Sequence, residues 1–183
     1  MQTAQINGTS HMEKTILAAA LLVISVVAGA QDDVHEPITS GFGVPLGEPF
    51  LPAMVERVVD HNSGNRKILV QPKITHPLFT RYEVKTAGAR DLVESVTGHH
   101  DCNKNDPKPI EDFESLKHVM EEKYGPSTTV KLRDERKKPR KNKGWVYQSR
   151  IRIDQNHRSV LLHINTGINY TCYIEITFMD KDV

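Results

Sequence analysis

The sequence predicts an α+β fold: a largely antiparallel, twisted sheet covered by one main helix, in the order strands, helix, strands. Three observations carry this. One segment alone, Glu111 to Tyr124, has a clear helical apolar period. The segments on either side alternate polar and apolar residues and are joined by turns of hairpin length. Charged residues at 26% and hydrophobic residues at 38% describe a folded chain, neither disordered nor rich in membrane spans.

The chain starts with a segment read as an export signal. Residues 16–27 (ILAAALLVISVV) form an uncharged apolar run between Lys14 and Ala28-Gly29-Ala30. A spanning helix needs about 20 apolar residues, and this run ends in small residues that suit signal-peptidase cleavage before Gln31. Met12, Glu13 and Lys14 read as the natural start of the leader, with residues 1–11 an over-long beginning. The expected organisation is a leader with its extension at 1–30, a lead-in segment at 31–52 and a single α+β domain at 53–183. Removal of the leader leaves 183 − 30 = 153 residues, enough for one domain and its core. The expected location is periplasmic or secreted, with no transmembrane segment after cleavage.

Export gives the two cysteines a meaning. In an oxidising compartment they pair by default, so a Cys102–Cys172 disulfide is expected. It closes a loop of about 70 residues, worth roughly 4 kcal/mol by chain entropy.

The elements follow in order. Gln31 to Pro52 holds four prolines and three glycines and reads as an ordered but irregular lead-in. Ala53 to Val59 fits either a helical turn or a short strand, and residues 62–65 (NSGN) turn the chain. Lys67 to Lys73, Thr80 to Ala87 and Arg90 to His99 read as strands, the last two joined by a hairpin at residues 87–89. In the helix Phe113, Leu116, Met120 and Tyr124 share a face that Val119 widens; Pro107 and Pro109 precede it, acidic residues favour its start, and Gly125-Pro126 stops it. Trp145 to Asp154, Arg158 to Asn165 and Tyr170 to Asp180 complete the sheet. In the last strand Tyr170, Cys172, Ile174, Ile176 and Phe178 should face the helix, and Thr171, Tyr173, Glu175 and Thr177 should face away.

Several short motifs recur together: Pro-Leu-Gly-Glu-Pro-Phe at 45–50, Cys102 ahead of a helix ending in residues 121–126 (EEKYGP), Cys172 in a late strand, and a terminal aromatic-x-Asp at 178–180. In these the chain resembles a group of small exported bacterial proteins without assigned activity, over Gly43 to Asp182. The resemblance implies a periplasmic or secreted α+β domain with the same disulfide, and no catalytic residue.

Of the constellations that carry chemistry, the sharpest metal candidate is His99-His100-Asp101-Cys102, with His76, His118 and His163 as partners from elsewhere. Against it, His99 and His100 are adjacent and so point to opposite faces of a strand, and Cys102 is better used in a disulfide. Lys131 to Lys143 carries eight cations against Asp134 and Glu135, a local patch in a chain of net charge +1. Its Arg136, Lys137, Lys138, Arg140, Lys141 and Lys143 are candidate anion ligands, weighed against a solvated loop joining helix to strand. Glu83, Glu94, Asp101 and Asp154 could converge, but no spacing singles out a pair. A nucleophile elbow and a phosphate-binding glycine loop are both missing from the sequence, so no catalytic residue and no cofactor is expected. The favoured reading is a non-enzymatic exported binding or interaction protein, its partner an envelope or extracellular protein or a polyanion. The alternative is a metal-binding accessory protein or a hydrolase of envelope polymers.

Overall fold

The computed structural model describes residues 35–62, 64–103, 107–134, 147–166 and 171–183, all within one compact unit that runs from Asp33 to Val183. The expected leader lies outside these residues. In the lead-in, β1 (Ser40–Gly41) pairs with β2 (Val44–Pro45). A 3-10 turn at Pro52–Met54 enters β3 (Val55–Asn62), followed by β4 (Asn65–Val70), β5 (Arg81–Ala87) and β6 (Leu92–Asp101). Then come helix α1 (Lys108–Tyr124), β7 (Thr128–Asp134), β8 (Tyr147–Gln155), β9 (Arg158–Thr166) and β10 (Cys172–Asp180).

Strands β3 to β10 form an eight-stranded antiparallel sheet in the order β3-β4-β5-β6-β10-β9-β8-β7. It consists of two meanders, β3 to β6 and β7 to β10, each built from local hairpins and joined along the β6–β10 seam. Among the described residues the architecture is thus an antiparallel sheet with one α-helix, and the sheet dominates it.

Local chemistry accounts for the boundaries. Strand β4 stops at Val70, short of the expected Lys73, because Pro72 has no N–H to give a ladder. Helix α1 starts at Lys108, earlier than Glu111, since Pro107 and Pro109 sit where prolines are tolerated. The ambiguous Ala53 to Val59 resolves into the 3-10 turn and the edge strand β3. Strand β7 was not anticipated. Its residues 131–134 belong to the cationic run, so the start of that run is strand and not loop. Charged residues hide the alternation there, and an edge strand tolerates them.

The two faces of the sheet differ. Ile68, Val84, Val96, Ile151, Leu162, Ile164, Ile174 and Ile176 form one buried face. Each such side chain contributes about 1.5–3 kcal/mol by leaving water. The expectation that the main helix covers this sheet needs correction. Helix α1 lies mainly over β8, β9 and β10, through Phe113, Leu116 and Tyr124. Val119 does not join them and is 50% exposed. At about 100° per residue it falls off the edge of the Phe113–Tyr124 stripe.

The lead-in covers much of the rest. Ile38, Val44, Leu46 and Phe50 are buried in the core, and the Phe42 ring meets Phe79, Tyr82 and Phe178 edge-on at 5.7, 4.7 and 5.6 Å. Gly98 makes room for it: a Cβ there would come within 2.7 Å of Phe42 Cζ. Polar contacts hold the segment down. Arg158 donates from Nε to Asp180 (3.0 Å), from Nη1 to the Ile38 carbonyl (3.1 Å) and from Nη2 to the Leu46 carbonyl (3.0 Å). The Gln155 amide donates to the carbonyls of Glu36 and Tyr124 and accepts from the Ile38 N–H, tying lead-in and helix together.

Cys102, at the end of β6, is joined to Cys172, at the start of β10, with their Cα atoms 4.9 Å apart. The bond sits on the seam between the meanders, the pairing with the longest loop to close. No helix among the described residues is long and apolar enough to cross a membrane. This and the disulfide are consistent with an exported protein.

Candidate functional site

The other face of the sheet carries polar side chains. In β10 these are Tyr173, Glu175 and Thr177, half-buried with Met179 between the inward Cys172, Ile174, Ile176 and Phe178. The register sets Arg81 of β5 opposite His99 of β6, His99 opposite Glu175 of β10, Glu175 opposite His163 of β9, and His163 opposite Arg150 of β8. Directly paired residues point to the same side, so Arg81, His99, Glu175, His163 and Arg150 form one row across five strands. At about 4.8 Å per strand it spans roughly 19 Å. In the adjacent row Glu83, Thr97 and Thr177 follow in turn, and the two threonine hydroxyls share a hydrogen bond of 3.0 Å.

His99 lies between two carboxylates. Its Nδ1 donates to Glu175 Oε1 at 2.9 Å, while Nε2 stands 3.9 Å from Glu83 Oε2. Glu83 is held in turn by Lys67 at 2.8 Å. The hydrogen bond from His99 lowers the Glu175 pKa below its ordinary value, outweighing burial, with the charges of His99, His163 and Arg81 adding to the effect. Burial lowers the His163 pKa, the Arg150 charge lowers it further, and Glu175 opposes both. The Tyr173 hydroxyl is pushed up by burial and by Glu175. Its ring meets His163 edge-on at 5.3 Å.

Glu83, Thr97, His99, Glu175 and Thr177 line a depression of about 450 Å³ in this face, with Lys67 at its rim. Several polar atoms here are buried without a hydrogen-bond partner among the described residues: His99 Nε2, His163 Nε2, Asn165 Oδ1 and Ser159 Oγ. Asn165, 4% exposed, donates from Nδ2 to Thr171. Buried polar atoms are normally satisfied, so these four on the face that no described element covers mark it as the candidate site, while Arg66 Nε, His100 Nδ1 and Ser149 Oγ are isolated cases on the other side.

The residues singled out in the sequence distribute unevenly. His99 belongs to the row. His100 points to the opposite side and lines a separate depression with Cys102, Lys108 and Asp112. His118 is exposed on α1, and the backbone of His76 pairs with the Tyr82 hydroxyl. His163 joins the row, but with Glu175 between it and His99. Of the carboxylates, Glu83 and Glu94 line the depression, Asp101 pairs with Tyr173 at the end of the seam, and Asp154 binds Lys181 and Arg152. The candidate anion ligands Arg136, Lys137, Lys138, Arg140, Lys141 and Lys143 lie outside the described residues.

Sequence reasoning missed Glu175 as a site residue, although its place on the face turned from the helix was legible. It also missed His157, Asp180 and Asp182, where three potential ligand atoms lie within 4.8 Å of one another. Asp180 is 4% exposed on its side chain and already bound by Arg158, so this cluster is explained by anchoring of the lead-in. No family model, no curated protein and no solved structure matches the chain.

Proposed function

We propose that the protein is an exported binding domain without catalytic activity, whose partner from the envelope or the extracellular medium lies on the polar face of the sheet. One observation carries this reading: among the described residues, buried polar atoms of His99, His163 and Asn165 on that face have no hydrogen-bond partner, and unmade hydrogen bonds there favour a bound group. The chemistry of the row supports binding over turnover. Thr97 and Thr177 are bonded to each other, and Glu83 and Glu175 are engaged by Lys67 and His99. A polymer hydrolase has less support, because the His99 imidazole fills the space between the two carboxylates where a water and a scissile bond belong. A metal at His99 Nε2 and Glu83 also has less support, with two ligands in place and the Lys67 ammonium against one of them.

The test is retention of envelope and culture-fluid fractions on the immobilised protein, compared with the Arg81→Glu/Arg150→Glu variant. Both side chains are exposed, so the variant should keep its thermal midpoint and lose the retained material. Undiminished retention by the variant, or turnover of an envelope polymer by the native protein, would overturn the reading.

A further inference from the structure

We infer that two copies of this chain join edge to edge through strand β3, antiparallel about a two-fold axis perpendicular to the sheet. Strand β3 is outermost on its side, so one flank of its backbone has no ladder partner among the described residues. Its eight residues include neither Lys nor Pro, two residues that commonly blunt an open edge. The lead-in and α1 cover the sheet further in, and β3 packs mainly on β4. Around it lies most of the apolar surface that the fold leaves in water. Of the exposed large hydrophobic side chains among the described residues, Leu51, Val55, Val58, Val59 and Ile74 belong to this end of the sheet, and Val119 alone lies elsewhere, on α1. Leu51 and Met54 also line an apolar cleft of about 250 Å³ with Val44, Pro49, Phe50 and Val93. Single exposed apolar side chains are ordinary, but a group of them beside an open strand edge marks a contact surface.

The order of residues in the strand names the occupant. Glu56 is the extra residue of a bulge between Val55 and Arg57, which pair with Val70 and Leu69 of β4, while Val58 pairs with Ile68. Val70 and Ile68 belong to the buried face, so Val55 and Val58 share that side, where an unbroken strand would set residues three apart on opposite sides. Arg57 takes the polar side with Leu69, and Glu56 adjoins it in the bulge. A two-fold axis through this bulge sets Val55 against the partner's Val58, and Glu56 against the partner's Arg57. By symmetry Val58 meets the partner's Val55, and Arg57 meets the partner's Glu56. Apolar side chains thus face apolar ones and each charge faces its opposite, so the strand is its own complement. Glu56 and Arg57 are both exposed, and neither forms an ion pair with another described residue. Pairing β3 with itself closes the assembly at two copies, whereas pairing it with the other edge, β7, would run on into a filament. The axis also leaves both polar faces on one side of the doubled sheet, so two His99–Glu175 rows face the same way.

The experiment is sedimentation velocity on the purified protein from about 1 to 100 μM, a range that brackets the association of a small, transient interface. The native protein should pass from monomer to dimer within it. Val58→Lys, at a position 44% exposed, should keep the far-ultraviolet circular dichroism of the native fold and stay monomeric at the highest concentration. Glu56→Arg and Arg57→Glu should each weaken the dimer by about tenfold, because like charges then replace both ion pairs across the axis. The exchange Glu56→Arg/Arg57→Glu should restore the affinity to within about threefold, since the same pairs return with their signs reversed. A native protein that stays monomeric throughout would overturn the proposal and leave the edge to a strand of another protein. A dimer that Val58→Lys leaves intact, or charge reversals without effect or without rescue by the exchange, would overturn it as well.

Discussion

Strand β10 offers two side-chain sets on one backbone. Cys172, Ile174, Ile176 and Phe178 go under the lead-in and the helix, while Tyr173, Glu175 and Thr177 stay on the uncovered face. The first set is buried and holds the fold by apolar burial. The second is only half-buried, and what it offers is a register of donors and acceptors spaced by the strands. Stability and chemistry are thereby separated by the alternation of a single strand. Substitutions one residue apart should move different measurements.

The largest effect belongs to the covered face. Phe178 touches both covers, with its ring 5.6 Å from Phe42 and 6.1 Å from Tyr124. Phe178→Ala should cost about 3–5 kcal/mol in chemical denaturation. Retention of ligand under native conditions should be unchanged, because the row on the other side loses no atom. A parallel loss of stability and binding would break the separation of the two faces.

The next largest is the seam itself. Replacing Cys102 and Cys172 together by serine should cost about 2–5 kcal/mol, read from the urea midpoint with and without reductant on the native protein. The disulfide holds β6 against β10, and so holds His99 against Glu175. In contrast to Phe178→Ala, this change should loosen both faces, and the imidazole signal of His99 should broaden.

These two predictions also mark what a sequence can disclose. Helix α1 was legible because Phe113, Leu116 and Tyr124 repeat at the helical period and Gly125 ends the run. The inward set of β10 was legible from strict alternation. The second cover was not, since the lead-in has no period at all: its grip depends on Gly98 making room for Phe42 and on Arg158 reaching two carbonyls. Strand β7 was hidden by its own charges. In the site, His99 was visible as a residue but not as a neighbour of Glu175. That proximity comes from the seam register, whose flanking cysteines lie 70 residues apart, and no local pattern fixes it. The charge of each group could be read from its letter; its partner could not.

The polar face can also be set against the covered one by acid, through Glu175. Glu175 is more acidic in the folded protein than its ordinary value of 4.5. Its ionised form therefore stabilises the native state above that pH, and the contribution fades as pH falls through the lower folded value. Glu175→Gln should be less stable than the native protein at pH 6, with the gap closing below pH 4.5. Thermal midpoints across that range measure it. A gap that is constant with pH would mean that the His99 hydrogen bond does not depend on the carboxylate charge.

His163 provides the smallest and most specific test. Burial and Arg150 hold its pKa under the ordinary 6.5, so on acidification the unfolded chain takes up a proton that the folded protein still refuses. The native protein should consequently lose stability relative to His163→Gln as pH drops below 6.5, and the loss should level off once the folded imidazole itself is charged. Facing it are Glu175 and Tyr173 on β10 and Arg150 on β8, and only Glu175 favours the charged ring. In the Glu175→Gln background the His163 signal should therefore titrate at still lower pH. An unmoved titration would mean that the row is a set of independent neighbours and not one electrostatic unit.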